Sequence, residues 1–420
     1  AAAEPLTEPL RVETTLDGHP AAVRAVALSK CSSTASSSSY SSHVLFSAGG
    51  KEAIHAWRLE QQQQPSPSLR PTLLCTHVPP ERNSNAAKRA GSAAHRPEVQ
   101  ADARYFCLAA APLDGWGGGG NGNGASPNCH LLAAGTSNAQ VDLFILKEGC
   151  TTLRHIGRLP ASSGPLLCLT LHPVASSGSG GGGEAAMLLL GGSTAGALTV
   201  WDLTPLLRVQ ALEAEEGKSG PKPTSGSSHN DGLRTSGAPP ALRTAAPTLD
   251  WLLPSCHLDG YHAMGVNCLC LLPCETMTTM ITLASGGDDQ AVGLCRLDVR
   301  WADEKLSVAT RSHGVRPNVH SAGVRGIAAA GRLGGQQHFL SAGADGQLLG
   351  WRVVMADGAT FGESLQLCWR VFISIEQVHA LCVCGATDAD ADPLPGAEAL
   401  AVVVGCGVEA FRLREISSKC

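Results

Sequence analysis

A histidine, a serine and an aspartate that meet in space can move a proton and arm a hydroxyl for attack on an acyl group. The chain carries such a set at His320, Ser341 and Asp345, with Trp351 close behind. Ser341 stands four residues before Asp345, and Asp345 stands six before Trp351. A nucleophile set occurs once in a chain, whereas a structural part recurs. Periodicity therefore decides what these residues are for.

The spacing recurs. Six stretches read as an apolar strand, a Gly-rich turn and a second strand ending in a large residue. They are VLFSAGGKEAIHAWRL near Trp57, HLLAAGTSNAQVDLFIL near Phe144 and MLLLGGSTAGALTVWDL near Trp201. The others are ITLASGGDDQAVGLCRL near Cys295, HFLSAGADGQLLGWRV near Trp351 and ALAVVVGCGVEAFRL near Phe411. Six positions before each terminal residue lie Lys51, Asn138, Ala195, Asp289, Asp345 and Gly405. Four further back lie Ser47, Ala134, Gly191, Ser285, Ser341 and Ala401, so one ungapped frame fits all six. Period-two alternation, as in AIHAW and ALTVW, predicts two strands joined by a tight turn in each unit. A shorter apolar run precedes each hairpin, and a weaker fourth strand such as RPTLLCTHV can follow. Short strands in a sixfold repeat, without a periodic long helix, predict an all-β chain folded as a β-propeller. Six blades are recognisable. Arg11 to Leu16 would supply a strand of a partial seventh, or close the ring onto the last blade. Closure would remove free sheet edges.

Within that frame His320, Ser341, Asp345 and Trp351 resemble the structural tetrad of WD40 blades. The resemblance implies a buried hydrogen-bonded chain, because a half-buried His needs both ring nitrogens satisfied. A catalytic triad is set aside by the recurrence. The fifth unit alone keeps all four residues; the first has His19, Ser47 and Trp57 but Lys51, and the fourth has His262, Ser285 and Asp289 but Cys295.

The propeller is expected over residues 11–415, with two flexible insertions at 60–104 and 205–256. These are rich in Gln, Ser, Gly, Pro and charge and cannot bury a core. Polar low-complexity loops such as DGWGGGGNGNGASPN also part paired strands. The Gly run lacks the G-K-[ST] ending of a phosphate cradle. Apolar residues make up 43% and charged residues 16%, with net charge −5, so the chain as a whole is no electrostatic glove for nucleic acid. No apolar run of about 20 residues predicts a membrane helix. AAAEPLTEPL lacks the features of a signal peptide, and the missing initiator Met suggests a piece of a longer chain. The 16 cysteines are scattered, and several lie inside apolar runs such as YFCLA, LLCLTL and NCLCLL. They read as buried thiols of a reducing compartment, so the expected location is the cytoplasm.

Cys268, Cys270 and Cys274, with Cys382 and Cys384, raise the question of metal binding. Their pairs are C-x-C rather than C-x₂-C and fall on one strand face, so core packing is the better reading and no metal or cofactor is expected. RNSNAAKRAGSAAHRPEVQADAR carries Arg82, Lys88, Arg89, Arg96 and Arg104 against Glu98 and Asp102. It reads as a solvated loop or as a basic arm that contacts RNA phosphates, without aromatics for base stacking.

The order of motifs is more specific than any one of them. LDGHPAAVRAVAL followed by VLFSAGGKEAIHAWRL, then ERNSNAAKR, DARYFCLAA, LLLGGSTAGALTVWDLTPLL, HAMGVNCLCLLP and VFISIEQVHALCV resembles the last propeller of the WD repeat-containing protein six family. That resemblance implies a non-catalytic subunit whose partners are tRNA and an FtsJ-like 2′-O-ribose methyltransferase acting on the wobble nucleotide. It implies neither a membrane nor a small-molecule substrate. The chain departs from the family pattern in its Ala, Gly, Ser and Gln expansions and in lacking the family's earlier propellers. The other reading is a generic WD40 scaffold, such as a ubiquitin-ligase substrate receptor or a signalling adaptor.

Overall fold

A computed structural model describes residues 3–5, 19, 22–30, 42–49, 53–62, 68–78, 104–113, 129–147, 150–161, 163–174, 186–216, 249, 251–273, 279–302, 305–333, 336–354, 364–384 and 399–413. They form six four-stranded antiparallel sheets arranged as a six-bladed β-propeller. After a short first strand β1 (Ala3–Pro5), blade one holds β2 (Val23–Lys30), β3 (Ser42–Gly49), β4 (Ala53–Gln62) and β5 (Ser68–His77). Blade two holds β6 (Tyr105–Pro112), β7 (Cys129–Thr136), β8 (Gln140–Lys147) and β9 (Arg154–Pro160). Blade three holds β10 (Leu166–Val174), β11 (Ala186–Ser193), β12 (Leu198–Asp202) and β13 (Cys256–Leu258). Blade four holds β14 (Val266–Leu272), β15 (Met280–Gly287), β16 (Val292–Ala302) and β17 (Lys305–Arg316). Blade five holds β18 (Val324–Leu333), β19 (Gln336–Gly343), β20 (Gln347–Val353) and β21 (Leu365–Phe372). Blade six has β22 (Ala380–Cys384), β23 (Ala399–Gly405) and β24 (Gly407–Leu413), and β1 is its fourth strand.

Alternation gives every sheet two apolar faces, and the core lies in the seams between blades. Phe46, Ala133, Leu190, Ala284 and Leu340 hold one position in blades one to five, and each is buried in the seam with the next blade. Small residues let the inner strands approach. The Cys107 thiol donates to the Leu166 carbonyl at 3.4 Å, and Cys168 does the same to Val266 at 3.2 Å one blade on.

Four sequence expectations are refined by the structure. The first concerns closure. Ala3–Pro5 pairs with Leu413, Arg412 and Phe411, so a three-residue strand ties the chain's start to blade six. Residues 11–16 lie outside the described residues. Packing does not close the ring in the same way. Inner strands pack in series from β2 through β6, β10, β14 and β18 to β22, and no comparable contact returns from β22 to β2 among the described residues. Val26 faces the sixth–first seam and is 62% exposed, whereas its counterparts Leu108 and Ile327 are 7% and 6% exposed. On the other side Val408 is 55% exposed, and its counterpart Ile54 is at 0%.

The second is the sixth repeat. The ungapped frame pairs Ser47 with His55 and Ser341 with Leu349. In blade six Ala401 lies opposite Phe411, a place held elsewhere by the residue two before the serine position. Gly405 pairs with Gly407 across Cys406 alone, so the turn is two residues shorter and Val403 takes the serine position. The third is the 205–256 insertion, which opens with helix α1 (Thr204–Glu216). The Thr204 N–H is capped by Asp202 at 2.9 Å, and Pro205 suits the first turn. Leu206 and Leu207 join Leu249 and Leu252 in the core between blades two and three, and Cys256 begins β13. The fourth is the 60–104 insertion. Glu60–Gln62 extend β4, and Ser68–His77 form a paired strand, as the RPTLLCTHV pattern suggested.

The open seam makes a testable contrast. Val26→Asp should change stability by less than about 0.5 kcal/mol, because the charge stays in water. Ile327→Asp should cost about 3 kcal/mol or more, because the charge is buried. Equal losses in urea melts would show that both seams are packed.

Candidate functional site

Blade five brings the four singled-out side chains together in series. His320 lies just before β18, Ser341 on β19, Asp345 in the turn and Trp351 on β20. His320 Nδ1 is 3.0 Å from Asp345 Oδ1, and its Nε2 is 2.9 Å from Ser341 Oγ. The Trp351 indole N–H donates to the same Oγ at 2.8 Å. The proton positions follow from chemistry. A carboxylate only accepts, so Nδ1 carries the proton; Nε2 then accepts, and the Ser341 hydroxyl donates to it. Asp345 also accepts the N–H of Ser321 and of Gln347, which fixes the turn. Burial alone would raise the Asp345 carboxyl, but the Ser321 amide and His320 outweigh it and hold it below the ordinary range. Burial lowers His320, and Asp345 offsets part of that.

This array cannot attack a substrate. Ser341 is 0% exposed, and its oxygen already accepts the indole N–H. The glycine two places after the serine is part of the device. A side chain at Gly287, in the same place of blade four, would set its Cβ 2.5 Å from Asp289 Oδ1 and 2.6 Å from His262 Nδ1.

The other blades depart from the pattern in ways that side-chain identity alone did not reveal. In blade four Cys295 stands where the indole would be. Tyr261 fills the role, its Oη 2.9 Å from Ser285 Oγ, while His262 joins Ser285 at 2.8 Å and Asp289 at 2.9 Å. Gly293 leaves the space, since a Cβ there would lie 2.5 Å from both oxygens. The signal was a Tyr beside the His in a unit that lacks its Trp. Blade one keeps His19–Ser47 at 2.8 Å and Trp57–Ser47 at 2.9 Å. His55 packs edge-on against His19 with ring centroids 4.1 Å apart. In blade three the network is replaced by packing: Gly191 abuts Leu166, Leu169 and Trp201, and the Trp201 indole N–H is buried without a partner. Blade two builds a separate charged cluster, with Asp142 accepting from Arg158 Nε at 2.5 Å and lying 3.3 Å from His155.

Of the predicted RNA contacts, Arg82, Lys88, Arg89 and Arg96 lie outside the described residues. Arg104 is exposed at the head of blade two's inner strand, held by two hydrogen bonds to Ser137, 3.0 and 2.8 Å long. Among the described residues no three His, Cys, Asp or Glu gather as a metal site. Thirteen cysteines are described, all as free thiols. Cys107, Cys168 and Cys295 are buried, as the sequence reading expected, but Cys382 and Cys384 are exposed. Their packing partner would be the blade across the open seam. No helix is long and apolar enough to cross a membrane.

Six antiparallel blades and a Trp–Ser–His–Asp chain are consistent with a WD-repeat protein. No family model matches the chain, and no curated protein matches it either.

The network predicts two outcomes. Asp345→Ala should lower stability by about 1–3 kcal/mol, because it strips His320 Nδ1 and two turn amides of their acceptor. An unchanged melting temperature would contradict that role. His338, on β19 opposite Arg352, is pushed down to about 4 by burial and by the Arg352 charge. Its unfolded value is near 6.5, so its share of stability is whole above pH 6.5. That share fades as pH falls toward 4, by up to about 3 kcal/mol. His338→Gln should flatten the stability curve across that window, and an unaltered slope would assign the acid loss elsewhere.

Proposed function

We propose that this chain is a non-catalytic binding subunit that positions tRNA for an FtsJ-like enzyme methylating the wobble ribose. The observation that carries the reading is the ordered run of motifs that resembles the last propeller of the WD repeat-containing protein six family. The buried tetrads favour it as well. The Ser–His–Asp sets of blades four and five sit at serines with 0% exposure, so their work is to hold shape. Recognition then falls to the loops and rims of a rigid platform.

Positioning is a sufficient mechanism. Holding a ribose hydroxyl against a methyl donor turns an encounter in solution into a step within one complex. The partner enzyme supplies the S-adenosylmethionine site and the catalytic groups. On this reading the protein works in the cytoplasm. The basic stretch ending at Arg104 meets the platform at the head of β6, where phosphate contacts would set register without reading sequence.

A generic scaffold is the second reading, because a six-bladed propeller serves any regulatory assembly. One experiment separates the two. Cells lacking the gene should lose wobble 2′-O-methylation, and the tagged full-length protein should copurify with tRNA and an FtsJ-like enzyme. Intact methylation in the deletion strain sinks the first reading. Stable copurification with a ubiquitin ligase or a signalling complex instead would support the second.

A further inference from the structure

The inner strand of blade six reads Ala380-Leu381-Cys382-Val383-Cys384. Leu381 and Val383 turn toward blade five, and alternation sets Cys382 and Cys384 together on the opposite face. In blade five the matching position, Ala328, is buried. In blade six both thiols are exposed, because the face toward blade one is not packed. Alternation along the strand leaves the two side chains neighbours on that face. Their strand is pinned by pairing Cys382 with Val402 and Cys384 with Leu400, neither of which carries charge. Two accessible sulfurs on one face of a fixed strand are a ready pair of soft ligands.

Chemistry narrows what the pair can take. Residues two apart on an extended strand have Cα atoms about 6.6 Å apart. That is near the upper limit for a disulfide, whose usual span is about 5.5–6 Å, so oxidation would demand that the strand buckle. Zinc wants four ligands, and no third or fourth donor gathers among the described residues. Calcium and magnesium want oxygen. A soft d¹⁰ monovalent ion is satisfied by two thiolates in a line, and thiolate ligands select Cu(I).

We propose that Cys382 and Cys384 form a two-coordinate site for a soft monovalent metal ion of the Cu(I) class on the open face of blade six. Each thiol gives up its proton to solvent, and two sulfur–metal bonds form. The product is an anionic bis-thiolate, and no electron is transferred. Both thiols must lose a proton to bind, so the ion competes with protons at neutral pH. Affinity should therefore rise by roughly 100-fold per pH unit, as two protons leave per ion bound.

The test titrates the reduced, oxygen-free protein with Cu(I) buffered by bicinchoninate. A single tight ion is expected. Cys382→Ser and Cys384→Ser should each lose at least about 100-fold in affinity, and Cys406→Ser on the same blade should lose none. Alkylation of the unaltered protein gives a check that needs no variant. Cu(I) should shield Cys382 and Cys384 from iodoacetamide while Cys150 and Cys406 stay reactive. Undiminished binding by either serine variant, shielding of other cysteines instead, or equal occupancy by Zn²⁺ would overturn the assignment.

Discussion

A sheet with apolar side chains on both faces must be covered twice, and that demand organises this protein. Phe46, Ala133, Leu190, Ala284 and Leu340 each need the next sheet, and Leu108, Ile327 and Leu381 each need the one before. Neither the hairpins nor the outer strands can satisfy this alone. Burial at about 25 cal/mol per Å² rewards each seam, and small residues on the inner strands set how closely the sheets converge. The tetrads are secondary to it. In blades four and five they lock the turn of the hairpin to the residue ahead of the inner strand, so the blade arrives at the seam with its faces correctly set.

How legible this was depended on whether a feature is local. The hairpins announce themselves, because apolar alternation around a glycine turn is a short-range pattern. Blade five's network was legible in the spacing of Ser341, Asp345 and Trp351 for the same reason. The sixth unit misled because a fixed spacing assumes a fixed turn, and Cys406 alone spans the turn between Gly405 and Gly407. Helix α1 left ordinary marks, an Asp202 cap and Pro205 in the first turn, but they were submerged in a polar, low-complexity neighbourhood. Ala3–Pro5 left none, since three residues with a proline have no strand signature, and pairing with β24 is a long-range event. Tyr261 could have been found by asking which group replaces the missing indole of its blade.

The cysteines show the limit most clearly. Cys268 and Cys270 share the C-x-C pattern of Cys382 and Cys384, on equivalent inner strands. Burial raises the first two to about 12 and about 11. The second pair meets solvent. Cys270 and Cys382 hold the same register position, opposite Ala284 and Val402. The difference lies in whether a neighbouring sheet arrives, which is a property of the whole array.

The unpacked seam between blades six and one has a geometric consequence. In a closed ring the angles between successive blades must add up to a full turn, so an error at one joint is shared out and resisted by the rest. Among the described residues five packed joints set the curvature, and β1 ties the chain's start to blade six at the outer rim. Small rotations at each joint then accumulate along the arc, and their sum appears as the width of the gap. An arc of this kind works as a split washer would, its two end faces displaced most when any joint shifts.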